Sequence, residues 1–147
     1  MSPWSHPTTI PPGPMTRDLA PRPGVTLVEG GADVAVYAGH ADAVELCLFD
    51  AGDKAGTSER RIPLLERAHG WWFAFVPGIT AGQRYNFRAH GAWSPDQGLR
   101  HNPAKLLLDP YAKAIARGTQ WDDRMFGYAI DAEDTDLSYD DRDNAGH

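Results

Sequence analysis

The chain is poor in cysteine, in basic charge and in long apolar runs, and each shortage excludes a class of function. Cys47 is the single cysteine, so no internal disulfide can form, which suits a reducing compartment and a cytoplasmic location. A membrane helix needs about 20 consecutive apolar residues, and no such run exists, so no membrane partner is expected. The first 23 residues lack the apolar core of a signal peptide. Lysines number only three, Lys54, Lys105 and Lys113, and the net charge is −6. A nucleic-acid surface would need a concentrated basic face, so no nucleic-acid partner is expected either.

Ligand and cofactor motifs are equally scarce. His6, His40, His69, His90, His101 and His147 show no metal-ligand spacing, and Cys47 has no partner nearby. Asp140 to Asn144 has a superficial calcium-loop look, but it lacks the glycine at the sixth position and the closing glutamate. No glycine-rich run opens a helix, as phosphate cradling requires. Neither a metal nor a cofactor is expected.

What is present is a series of short alternating runs. Val25–Val28, Asp33–Tyr37, Val44–Phe49, Arg61–Leu65, Trp71–Val76 and Arg84–Ala89 read as strands, with Gly, Pro, Asp and Asn turns between them. Turn signals about every 10 residues describe an all-β, antiparallel β-sandwich of immunoglobulin-like type. Alternation puts Val34, Val36, Val44, Leu46, Leu48, Tyr85 and Phe87 in the core, with one of Trp71 and Trp72. Pro63 confines its strand to an edge. Lys105–Leu108 is a further short strand candidate, and Asp109-Pro110 looks like the N-cap and first residue of a short helix. Residues 1–23, with seven prolines, read as a disordered leader. Residues 24–116 form the sandwich module with its closing motif, and 117–147 an acidic linker. From Trp121 onward nine acids face two arginines, so that segment carries −7. Both termini are expected to be flexible.

With that pattern in place, five segments match a known family in order. They are Gly39–Asp50, ending in Val-Glu-Leu-Cys-Leu-Phe-Asp; Gly70–Gly78, ending in Val-Pro-Gly; Gly82–Gly91; Asn102–Ile115, reading NPAKLLLDPYAKAI; and Ser138–Ala145. Together they resemble the N-terminal domain of glycogen debranching enzymes of the isoamylase type, carbohydrate-binding module family 48. The match covers about Gly24 to His147, and the leader is unusually proline-rich. In that family a glycoside hydrolase barrel follows and cleaves α-1,6 branch linkages. A (β/α)₈ barrel needs about 200–250 residues, and none follows here. Retaining hydrolysis needs two carboxyls about 5 Å apart. The resemblance therefore implies no catalytic residue and no activity from this chain alone.

What the resemblance does imply is a truncated product or fragment that scaffolds a barrel, here a separately encoded one, and contacts α-glucan such as glycogen. A free-standing glycan-binding or regulatory module is the alternative, although a tryptophan-lysine clamp is not obvious. An immunoglobulin-like scaffold without a ligand is a third reading. Trp71, Trp72, Trp93 and Trp121 are the candidates for glycan stacking or docking, and Trp93, in Gly91–Asp96, reads as a docking residue rather than core.

Overall fold

The computed structural model describes residues 22–116, 118, 120–130 and 139–146. Expectations placed on 1–21 and 131–138 lie outside these residues. Among the described residues, nine strands run in the order β1 Gly24–Val28, β2 Gly31–Tyr37, β3 Ala43–Phe49, β4 Arg60–Pro63, β5 Glu66–Ala68, β6 Trp71–Pro77, β7 Arg84–His90, β8 Trp93–Ser94 and β9 Leu99–Arg100. They pair in two antiparallel sheets, β1-β2-β6-β5 and β4-β3-β7, with β8 and β9 as a small hairpin. This is the expected antiparallel sandwich.

Register follows from which residues must leave water. Val34 pairs Ala74 and Val36 pairs Trp72 in the first sheet; Leu46 pairs Phe87 and Val44 pairs Ala89 in the second. A slip of one residue would turn each set outward. Val34, Val44, Leu46, Leu48, Phe87 and Trp72 lie in the core cluster, and Val36 and Tyr85 pack partly buried against it. Every expected core position is thus accounted for, and Trp72 rather than Trp71 is the inward tryptophan. Pro63 sits in β4, an edge strand, where a missing ladder donor is harmless.

Two expectations need correction. The apolar run at Lys105–Leu108 yields only one bridge, Leu107 to Phe87. The helix after Asp109 does not form. Asp109 accepts from the Tyr111 amide at 2.8 Å, and Ala112 N–H donates to the Asp109 carbonyl at 3.0 Å, so the cap closes a single turn. The reason is tertiary. Asp109 is buried and also accepts from the Tyr85 hydroxyl at 2.6 Å, while Tyr111 lies against Gly24 of β1. The segment is spent on holding the sandwich edge, and isolated helix turns are weak without packing of their own.

The outward side of β3 departs from simple alternation. Cys47 and Phe49 should face water, yet both are buried. The cover comes from chain that is distant in sequence. Arg88 of β7 is fully buried, with Glu59 and Asp143 on its guanidinium.

Candidate functional site

The outer face of the first sheet is aromatic because β6 alternates two kinds of residue. Trp72, Ala74 and Val76 point inward and are buried, while Trp71, Phe73 and Phe75 point outward and are half-buried. Register brings Tyr37 of β2 beside Trp71, and Asp33 beside Phe75. The Tyr37 and Trp71 rings meet edge to face at 5.6 Å, and Tyr37 is 63% exposed. Such pairs contribute about 0.5–1.5 kcal/mol beyond area burial.

A local turn fixes that pair. His69 and Gly70 join β5 to β6, both with positive φ (51° and 83°), the two-residue turn whose twist suits a hairpin. A Cβ on Gly70 would lie 2.6 Å from Tyr37 Cε2. Glycine is thus required twice, for the turn and to let the tyrosine ring lie flat across it. Arg67 Nη2 donates to the Gly39 carbonyl at 3.0 Å, and its guanidinium stands 4.9 Å from the Trp72 ring centre. Beside Phe75 the Oδ1 atom of Asp33 is buried without a hydrogen-bond partner among the described residues, a costly state for a carboxylate.

The four tryptophans singled out from sequence do not form one platform. Trp72 belongs to the core, with its Nε1 donating to the Ala38 carbonyl at 3.1 Å. Trp71 lies on the aromatic face with Tyr37. Trp93, in the β8–β9 hairpin, is half-buried and meets Tyr139 edge to face at 5.1 Å. Trp121 is 81% exposed on a loop. Sequence reasoning missed Tyr37 as a site residue, although its position directly opposite Trp71 follows once β2 and β6 are paired.

The opposite face, over the second sheet, is a charge network. Arg88 donates to Glu59 at 2.6 and 2.9 Å, to Asp143 at 2.9 and 3.0 Å, and to the Pro103 carbonyl at 2.9 Å. Arg61 also bonds Glu59, and His90 bonds Glu45. Burial alone would raise the Glu59 carboxyl, but hydrogen bonds from Arg88 and Cys47 hold it below the ordinary range. Burial, then Glu59, pushes the Cys47 thiol far above its ordinary value, which favours the neutral thiol.

Nearby, Lys105 is buried and donates to the Arg124 and Arg142 carbonyls, both at 2.7 Å. Asp140 is held low, chiefly by hydrogen bonding from Arg142. The acids gathered here are engaged by cations. Among the described residues no group of three or more His, Cys, Asp or Glu is placed to hold a metal ion, and no helix is long and apolar enough to cross a membrane.

Between β1, β7 and the chain after Leu106 lies an apolar cleft of about 560 Å³, lined by Leu27, Leu48, Ile79, Leu108 and Ile115 among others. Leu108, Tyr111 and Ile115 are 57%, 58% and 68% exposed.

Comparison with known proteins places this architecture. The family model described as carbohydrate-binding module 48 (isoamylase N-terminal domain) matches residues 22–112, more than half of the chain. A glycogen debranching enzyme of Cronobacter sakazakii is 41% identical over 112 residues, covering 76% of this chain and 16% of the relative. A glycogen operon protein GlgX homolog of Mycobacterium tuberculosis H37Rv is 39% identical over 124 residues, covering 84% and 17%. The chain thus spans less than a fifth of these relatives. A pullulanase from Bacillus acidopullulyticus superposes with a TM-score of 0.51 at 20% identity, over 67% of this chain and 11% of that one, a likeness of fold.

Proposed function

Because the chain belongs to the carbohydrate-binding module 48 family, the isoamylase N-terminal domains, we propose that it serves an α-glucan debranching hydrolase as a non-catalytic module. In this reading it sits beside the catalytic barrel in the cytoplasm, and its aromatic sheet face meets branched glucan such as glycogen. The observation that carries the reading is the outward row Trp71, Phe73 and Phe75 with Tyr37 at its end. Flat rings on a rigid strand suit the apolar faces of glucose units, and stacking on them costs little side-chain entropy.

The barrel partner is assigned to a different surface. Leu108, Tyr111 and Ile115 rim the apolar cleft and stand more than half exposed. Large exposed apolar patches mark interfaces. The acids held on Arg88, Lys105 and Arg142 are structural, which supports a non-catalytic role.

Co-sedimentation of the chain with glycogen tests the glucan half of this reading. The chain is expected to pellet with glycogen, and Trp71→Ala or Tyr37→Ala to weaken binding about 2- to 10-fold, the range that one aromatic contact is worth. Pelleting without any barrel would suit the free-standing glycan-binding alternative as well; adding a cognate barrel separates the two, since only the scaffold reading has it bind the Leu108–Ile115 surface. Failure to pellet, or equal pelleting of the variants, would remove the aromatic face from the account.

A further inference from the structure

We propose that residues 122–127 and 139–146 form a releasable strap that, while seated, withholds Trp93 from solvent and from partners. This inference stands apart from the glucan reading. The seat is the Asn102–Leu106 stretch, whose side chains and backbone are turned to catching the strap. Asn102 Nδ2 donates to the carbonyls of Asp140 at 2.7 Å and Gly127 at 3.3 Å. Lys105 Nζ reaches one carbonyl in each limb, Arg124 and Arg142. Asn144 plays the part of a missing strand for Leu106: its Oδ1 accepts from the Leu106 amide at 2.6 Å, and its Nδ2 donates to the Leu106 carbonyl at 3.3 Å. Asp143 closes the far end on Arg88, and the Asp140 amide ties the limbs together through the Gly127 carbonyl at 2.9 Å.

Seated in this way, the strap lies over Trp93. Tyr139 meets its ring edge to face at 5.1 Å. Gly127 presses on it from the other limb, where an added Cβ would lie 3.2 Å from the tryptophan's Cη2 atom. Both contacts end if the strap lifts.

The kind of adhesion argues for release as a unit. The strap's buried residues are polar, Asp140 and Asn144, whereas Tyr139 is 46% exposed and Met125, Phe126 and Tyr128 are half-buried. Permanent docking is normally driven by apolar burial, whereas the most deeply buried residues of the strap are polar. The polar contacts also share members: Asn102 and Lys105 each touch both limbs, so losing one limb unseats the other. The sandwich does not depend on the strap for its core, which is built from β2, β3, β4, β6, β7 and neighbouring loops.

The test uses two variants of the full chain. Asp143→Asn leaves Arg88 with Glu59 and the Pro103 carbonyl, so the sandwich should fold. Asn144→Ala removes the pair with Leu106. Amide hydrogen exchange and the indole N–H signal of Trp93 are read together by NMR. Each variant is expected to speed exchange at Leu106 and Asp140 about 10- to 100-fold, the worth of a charge-assisted or buried hydrogen bond. The Trp93 signal should shift towards its solvent-exposed position while the Leu46 and Phe87 amides keep their protection. Faster exchange confined to 143–145, an unmoved Trp93 signal, or equal acceleration at Leu46 and Phe87 would each overturn the proposal. The last would make the strap part of the core.

Discussion

The two outer faces of this sandwich follow the same strand periodicity and have opposite fates. On the first sheet the outward positions of β6 are Trp71, Phe73 and Phe75, and each keeps part of its surface in water. On the second sheet the outward positions of β3 and β7 include Glu45, Cys47, Arg88 and His90. There Cys47 and Arg88 are fully buried. The aromatic row keeps its contact with water while Arg88 of the charged face loses it, the reverse of what solvation alone would choose. The difference teaches where to look for each role. An apolar face left open calls for a neighbour, whereas a buried ion network, once its members are paired, acts as fastening. Such a network specifies geometry more than it adds stability.

That contrast can be broken first at its most sensitive point. Arg88→Ala would strand Glu59 beside buried Cys47 and free Asp143, and losing one partner of a buried pair costs about 3–5 kcal/mol. Because Asp143 is half-exposed, the share that belongs to its own pairing is small. Urea unfolding should show the loss, and a cost below about 1 kcal/mol would mean that water replaces the guanidinium freely. Leu46→Ala, on the inner face, should cost about 2–5 kcal/mol by the same measurement. It is 0% exposed and sits opposite Phe87. By contrast Phe73→Ser, on the outer face, should cost less than Leu46→Ala, because part of its ring stays in water in the folded chain. A loss equal to that of Leu46→Ala would show that the aromatic face is already covered.

Acid sharpens the comparison further. Glu59 and Asp140 are both held below their ordinary carboxyl values. A group lowered in the folded state stabilises it above the unfolded value, about 4, and that contribution is lost as pH falls through the folded value. The charged face should therefore loosen below about pH 4 while the aromatic face stays intact. Near-ultraviolet circular dichroism of Trp71 and Tyr37 against hydrogen exchange at Leu106 would separate the two. The smallest effect concerns the cleft rim. Leu108→Ser with Ile115→Ser should leave the melting temperature within about 2 °C but weaken binding of a cognate barrel, read by light scattering of the mixture across a concentration series.

Much of the fold was legible because inner-face periodicity is a local property. The runs at Val34–Val36, Val44–Leu48 and Tyr85–Phe87 place themselves, and so does the edge position of Pro63. What was not legible depends on chain that is far away. Arg88 reads as an ordinary outward arginine, since nothing near it in sequence announces Glu59 or Asp143. The Asp109-Pro110 cap signal is real, but Tyr85 and Gly24 claim its residues before a helix can propagate. Trp93 reads as a docking aromatic on a loop, and its neighbours Gly127 and Tyr139, the latter 46 positions on, become visible only in the fold. The proposed glucan face was half legible: Trp71 was named from sequence, whereas Tyr37 needed the pairing of β2 with β6.

The central claim is that the open aromatic face, and not the strapped charged face, meets glucan. Titration of the ¹⁵N-labelled chain with a linear maltooligosaccharide, followed by NMR, tests it most directly. Shifts are expected at the Trp71 indole and at the amides of Tyr37 and Phe73, with Cys47, Arg88 and Trp93 unmoved. Shifts centred on Trp93 or along β3 and β7, or none at saturating sugar, would contradict it.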